Sequence, residues 1–195
     1  MRLCASEECC LDEDSLREVV DCVSRVRALV SSIASRVAGI EPSTLRDCDA
    51  MYYAALKVLG AARALAARVK NLRSLEELSD VDTVVNTFVN TLNRLVEIRN
   101  LMQRVSEQLQ DAGAATALDS VRSCIEVIDS SSVLVSSVAL HTIYDLHNLS
   151  RDHCGRLASA IGTALFAALL SLESARVRRA LARCFPRRYA VRRGS

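Results

Sequence analysis

Residues 15–37 read SLREVVDCVSRVRALVSSIASRV. The apolar side chains fall at Leu16, Val19, Val23, Val26, Val30, Ile33 and Val37, alternating steps of three and four. That heptad spacing lays one narrow apolar seam along a helix, the pattern of a helix packed lengthwise on another. Ser15 and Glu18 form an S-x-x-E capping box. In it the hydroxyl accepts an orphan backbone N–H and the glutamate reaches back. Gly39 stops this helix, and Glu41-Pro42 opens the next.

The same rhythm runs outward along the chain. A second helix over 43–70 carries Leu45, Cys48, Tyr52, Ala55, Leu59, Ala62, Ala66 and Val69, with Met51, Val58 and Leu65 widening the stripe toward more than one neighbour. The pattern slips over 71–80. A third helix over 81–110 repeats Val81, Phe88, Leu95, Met102 and Leu109 every seven residues, and Gly113 ends it. The fourth holds the rhythm from Ala114 to His153 through Leu118, Val121, Ile125, Ile128, Val135, Ala139 and Leu149, with Ser130–Ser132 as a candidate kink. Gly155 separates it from a fifth helix over 157–184, closed by Phe185-Pro186. Asp80 and Asp82 sit at a helix start, where carboxylates suit the dipole, and carry no catalytic assignment.

Composition agrees. Half of the 195 residues are hydrophobic, aromatics are 4%, and there are only 6 Gly and 2 Pro. No strand-like alternation bounded by turn residues stands out. The expected fold is all-α: an elongated antiparallel bundle of about five long helices. The expected division is an N-terminal arm over 1–13, a helical bundle over 14–185 and an Arg-rich tail over 186–195. The longest uncharged run, 157–172, falls short of the roughly 20 apolar residues of a membrane span. No membrane span is expected, nor secretion through a signal peptide, because cysteines and acids occupy the start.

The cysteines are Cys4, Cys9, Cys10, Cys22, Cys48, Cys124, Cys154 and Cys184. None forms a C-x-x-C pair, which argues against a zinc ribbon or thioredoxin-type site. Their even number allows disulfides, and three of them on a polar arm suit stapling that arm to the bundle. The intracellular proteins of hyperthermophiles are one setting where such bridges persist.

Charge is unevenly placed although the net charge is only +2. Glu7, Glu8, Asp12, Glu13, Asp14, Glu18 and Asp21 crowd the start against Arg2 and Arg17. After Glu173 no acid remains, while Arg176, Arg178, Arg179, Arg183, Arg187, Arg188, Arg192 and Arg193 follow. Arg176, Arg179 and Arg183 share one helix side. Two arginine pairs flank Tyr189 beyond Pro186. Guanidinium forks suit phosphate oxygens, so these eight arginines and Tyr189 are the candidate nucleic-acid-binding residues, sequence-independent and salt-sensitive. Arg63, Arg68, Arg94, Arg99 and Arg104 could extend the surface. The acidic start offers the alternative of head-to-tail contact between copies.

All three histidines fall in HTIYDLHNLSRDHC, 141–154. On a continuous helix His141, Asp145, Asn148 and Asp152 would share one face, and His147, Arg151 and Cys154 another. His141, Asp145 and His147 are the only metal-ligand candidates. One helix supplies two ligands well and a site needs three or four, so no metal or other cofactor is expected. The paired E-x-x-H of di-iron bundles is absent. So are G-x-S-x-G, G-x-x-x-x-G-K and G-x-G-x-x-G.

This layout resembles the helical capsid proteins of filamentous and rod-shaped DNA viruses of hyperthermophilic archaea. The likeness rests on the all-helical body, the arm at Met1–Asp14, the arginines of 176–193 and cysteines suited to disulfides. It implies a structural protein of the virion or host cytoplasm, polymerising with itself or a related chain and wrapping double-stranded DNA without reading its sequence. An adaptor module with a groove for a partner helix, and a small helical hydrolase or metal protein using 141–154, are the alternative readings.

Overall fold

Asp12, not Ser15, begins the first helix. In the computed structural model the Asp12 carboxylate accepts from the Ser15 backbone N–H at 2.7 Å and from the Ser15 hydroxyl at 2.5 Å. An N-cap carboxylate satisfies an orphan donor and also suits the positive end of the dipole. Glu18 is thereby released from the expected capping box, and its carboxylate turns to Arg176.

The structure describes residues 2–36, 40–69, 78–146 and 149–186. The chain runs β1 (Arg2–Cys4), β2 (Cys10–Asp12), α1 (Glu13–Ala34), α2 (Pro42–Val69), α3 (Leu78–Asp111), α4 (Ala115–Asp145), α5 (Arg151–Leu169) and α6 (Ala175–Cys184). The protein is an all-α helical bundle. Helices α1 to α4 close a four-membered ring in which each packs on the next and α4 returns to α1; α5 lies on α3 and α4, and α6 on α4. Contacts fix the directions. Arg27 meets Asp49 while Glu13 meets Arg63, so α1 and α2 are antiparallel. Cys22 meets Cys124 while the Ser131 hydroxyl reaches the Ser15 carbonyl, so α1 and α4 are antiparallel too. By contrast α6 runs alongside α4 in the same direction, Arg176 meeting Ser130 and Ser137 meeting Cys184.

The heptad seam of α1 is the core. Leu16, Val19, Val23, Val26 and Val30 are buried, and Ile33 packs against them half-buried. Facing them are Met51, Ala55, Val58 and Leu65 of α2, Phe88, Leu92, Leu95 and Met102 of α3, and Val121, Ile128 and Val135 of α4. The repeated alanines of α2 let neighbouring backbones approach. A second, smaller cluster of Val133, Ala168, Val177, Ala180 and Leu181 lies under α6. The stretch Ala115–Thr142 of α4 is long and apolar enough to cross a membrane, with mean hydropathy 1.4 in its most apolar window, but 72% of that window is buried in the bundle. α4 is flanked by α1, α3, α5 and α6, so most of its sides face other helices.

Gly113 closes α3 as the sequence suggests. It takes φ +68°, its N–H reaches the Gln110 carbonyl at 3.0 Å, and the Ala114 N–H reaches Leu109 at 2.9 Å. That is the Schellman pair, and only glycine adopts its backbone without a Cβ penalty. Pro42 opens α2, as its fixed φ and missing N–H favour. Gly39 and residues 71–77 lie outside the described residues.

Four further expectations are corrected. No strand is expected, yet Arg2–Cys4 and Cys10–Asp12 form a two-stranded antiparallel hairpin pairing Arg2 with Asp12 and Cys4 with Cys10. Its Leu3, Cys9 and Leu11 are buried. The corner between the fourth and fifth helices is set by Ser150, whose hydroxyl accepts from the His153 N–H at 3.2 Å, while Gly155 lies inside α5. The expected fifth helix is two: the chain leaves helix after Leu169 and α6 restarts on Ser174, which accepts from the Val177 N–H. Finally, α4 passes through Ser130–Ser132 without interruption, because Ser130 and Ser132 donate back to the Val127 and Ile128 carbonyls.

Three disulfides cross this frame: Cys4–Cys10 across the hairpin, Cys9–Cys184 from the hairpin to the end of α6, and Cys22–Cys124 between α1 and α4. Cys48 and Cys154 are free thiols. Burial, with Asp47 and Asp49 beside it, pushes the Cys48 thiol up to about 12, so it behaves as a small core hydrophobe.

Candidate nucleic-acid interface

α6 owes its position to a short amphipathic pattern. Val177, Ala180 and Leu181 face α4 and are buried, Ser174 caps the start, and Cys184 is bonded to Cys9. The outer side carries Arg178, Arg179 and Arg183, all exposed. Arg179 and Arg183 lie along the helix, their Nε donating to the Ala175 and Arg179 carbonyls at 3.2 and 3.4 Å. Among the described residues no carboxylate pairs with Arg178, Arg179 or Arg183. Arg183 also stands in the last turn, where a cation complements the dipole.

Arg176 is not part of that surface. Its guanidinium turns toward α1 and binds Glu18 bidentately, one N–H···O at 2.6 Å, while Nε donates to the Ser130 hydroxyl at 3.0 Å. The Arg176 hydrogen bond holds the Glu18 carboxyl below its ordinary value. The acidic start and basic end therefore meet within one chain. Of the arginines considered as extensions, Arg63 binds Glu13, Arg104 binds Asp47, and Arg99 is buried against Asp129; none of these faces outward unpaired. Arg187, Arg188, Tyr189, Arg192 and Arg193 lie outside the described residues.

The histidine segment is divided. His141 is exposed near the end of α4, and His147 and Asn148 lie outside the described residues, as does the Asp145 side chain. Asp152 and Cys154 belong to α5, so the continuous faces expected for 141–154 do not exist. Among the described residues no group of three His, Cys, Asp or Glu side chains converges as metal ligands. Two other contacts appear instead. His153, buried at the start of α5, has Nδ1 at 2.9 Å from the Ser150 hydroxyl and Nε2 at 2.9 Å from Asp82 Oδ1 on α3. Arg156 also donates to that carboxylate oxygen at 3.0 Å, and to the Asn86 side-chain carbonyl at 2.7 Å. Arg156 first, then His153, holds the Asp82 carboxyl below its ordinary value. The Ser-x-x-His spacing is legible as a capped helix start; its partner Asp82, 71 residues away, is not.

Comparison with protein-family models, curated proteins and solved structures finds no match to this chain.

Proposed function

We propose that this protein is a structural nucleic-acid-binding subunit that neutralises phosphates through its C-terminal arginines, without sequence readout, and assembles with copies of itself. The observation that carries the reading is the outer side of α6: Arg178, Arg179 and Arg183 stand exposed with no described carboxylate opposite them. Four further arginines follow within ten residues of Arg183.

The anchoring of α6 favours this use of the surface. The helix is fastened by a disulfide, a buried apolar cluster and the Arg176–Glu18 pair. A cationic row on a rigid helix loses little conformational freedom on meeting a phosphate backbone. The parallel and antiparallel helices give a stiff body suited to a wall, and double-stranded DNA is the polyanion the layout suggests. Head-to-tail pairing of acidic and basic ends is the weaker reading, since Glu18 and Arg176 already satisfy one another within the chain.

The test is binding to two unrelated DNA duplexes by fluorescence anisotropy across a salt series. Both should bind equally, with log affinity falling linearly against log salt. R178Q/R179Q/R183Q should flatten that slope by up to about 3, at about 0.9 per lost phosphate contact. An unchanged slope, or no binding at low salt, overturns the proposal. Electron microscopy of the protein mixed with DNA should show regular nucleoprotein particles; dispersed monomers would remove the assembly part.

A further inference from the structure

The geometry points to a second activity: Ser150, His153 and Asp82 form a hydrogen-bonded nucleophile–base–carboxylate chain able to cleave carboxylic esters of apolar acids. The three groups come from two elements, Ser150 and His153 at the start of α5 and Asp82 on α3. Both contacts are 2.9 Å. With Nε2–H donating to Asp82, Nδ1 is the free base and the Ser150 hydroxyl donates to it. This is the order of roles in a hydrolytic triad, with the two ring nitrogens exchanged.

The surroundings supply the remaining parts. Ser150 is exposed while the His153 ring is 11% exposed, so the nucleophile is reachable and the base is sheltered. Arg151 and Asp152 follow Ser150 in the first turn of α5, where backbone N–H groups have no intrahelical acceptor and can receive an oxyanion. The residue before Ser150, Leu149, lines an apolar cleft of about 420 Å³ with Leu140, Leu146, Ala158 and Ile161, which would take the acyl chain. A separate hollow lined by Arg151, Asp152, Gly155 and Arg156 would take the leaving alcohol. Arg156, sharing Asp82 Oδ1, fixes the carboxylate in place and tempers its pull on the imidazolium, so turnover would be slow.

The step balances without a cofactor. Ser150 Oγ bonds to the ester carbonyl carbon as its proton passes to His153 Nδ1. The carbonyl oxygen takes the negative charge, and the C–O bond to the alcohol breaks as Nδ1 returns the proton to the departing oxygen. Water then attacks the acyl-Ser150 carbonyl, giving its proton to Nδ1, and Ser150 leaves as the hydroxyl with that proton, releasing the acid.

The experiment treats the folded, oxidised protein with a fluorophosphonate probe, which phosphonylates activated serines, and follows p-nitrophenyl butyrate hydrolysis in parallel. Mass spectrometry should place the adduct on Ser150. Ser150→Asn keeps an N-cap residue but no nucleophile, and should abolish both the adduct and hydrolysis with little change in melting temperature. His153→Gln should slow labelling by about a hundredfold or more, and Asp82→Asn by about tenfold or more, as expected for a general base and its orienting carboxylate. An unlabelled Ser150 in folded protein, an adduct elsewhere, or equal labelling in His153→Gln would show the chain to be only a helix cap and would overturn the inference.

Discussion

Two arginine–carboxylate pairs meet α4 at adjacent residues and differ in almost everything else. At Asp129, Arg99 of α3 donates from Nε at 2.9 Å and the Ser171 hydroxyl donates at 2.5 Å. The paired side chains are 8% and 1% exposed. At Ser130, Arg176 of α6 donates to the hydroxyl and forks onto Glu18, with the charged side chains 37% and 41% exposed. Both join the 170–184 stretch to the bundle. In the first pair desolvation dominates: burial raises the Asp129 carboxyl above its ordinary value despite Ser171 and Arg99. In the second the hydrogen bond dominates, and Glu18 moves the other way. One motif can therefore oppose or support folding at neutral pH, depending on how much water it has surrendered.

Breaking one side of the buried pair should have the largest effect. D129A strands Arg99 in the core and should cost about 3–5 kcal/mol in chemical denaturation with the disulfides intact. Replacing the whole buried group, as R99M/D129L/S171A, should leave stability within about 1 kcal/mol of the parent or raise it, since packing substitutes for costly ions. A loss as large as that of D129A would mean the pair is worth more than its burial. The exposed pair should matter less: E18Q or R176Q should cost about 1 kcal/mol, with a double-mutant cycle assigning most of it to their coupling.

The smallest signal is the pH dependence, and it should separate the pairs by sign. Glu18 has a lowered folded value, so its contribution is present above pH 4.5 and lost as pH falls through that lowered value; the difference between parent and E18Q should vanish in acid. Asp129 has a raised folded value, so its contribution is full below 3.8 and lost as pH rises through the raised value. Any advantage of the triple replacement should therefore shrink on acidification. Matching pH profiles for the two sets would erase the distinction.

What could be read in advance was local. The α1 seam and the glycine that closes α3 depend on residues a few positions apart, and both stand in the sequence. The hairpin was hidden because strands of three residues show no alternation to detect. Gly155 misled because a helix tolerates an exposed glycine for about 1 kcal/mol, whereas Ser150 did the capping. The break before α6 lacks Gly or Pro; it rests on Ser174 as a cap and on Ser171 reaching Asp129, a tertiary contact. For the candidate surface, the arginine-rich helix was legible, but not that Arg176 would spend its charge on a residue 158 positions earlier. Cysteine count suggested staples, and only the packing chose their partners.

The Cys9–Cys184 bond has a topological consequence. It joins residues 175 positions apart, so 9–184 is one covalent loop that encloses the helical bundle. A machine that threads proteins through a narrow pore by pulling on one end would meet a doubled strand on reaching Cys9 or Cys184. Extraction, degradation or translocation of the oxidised molecule in that manner must wait for an electron donor to cut the ring.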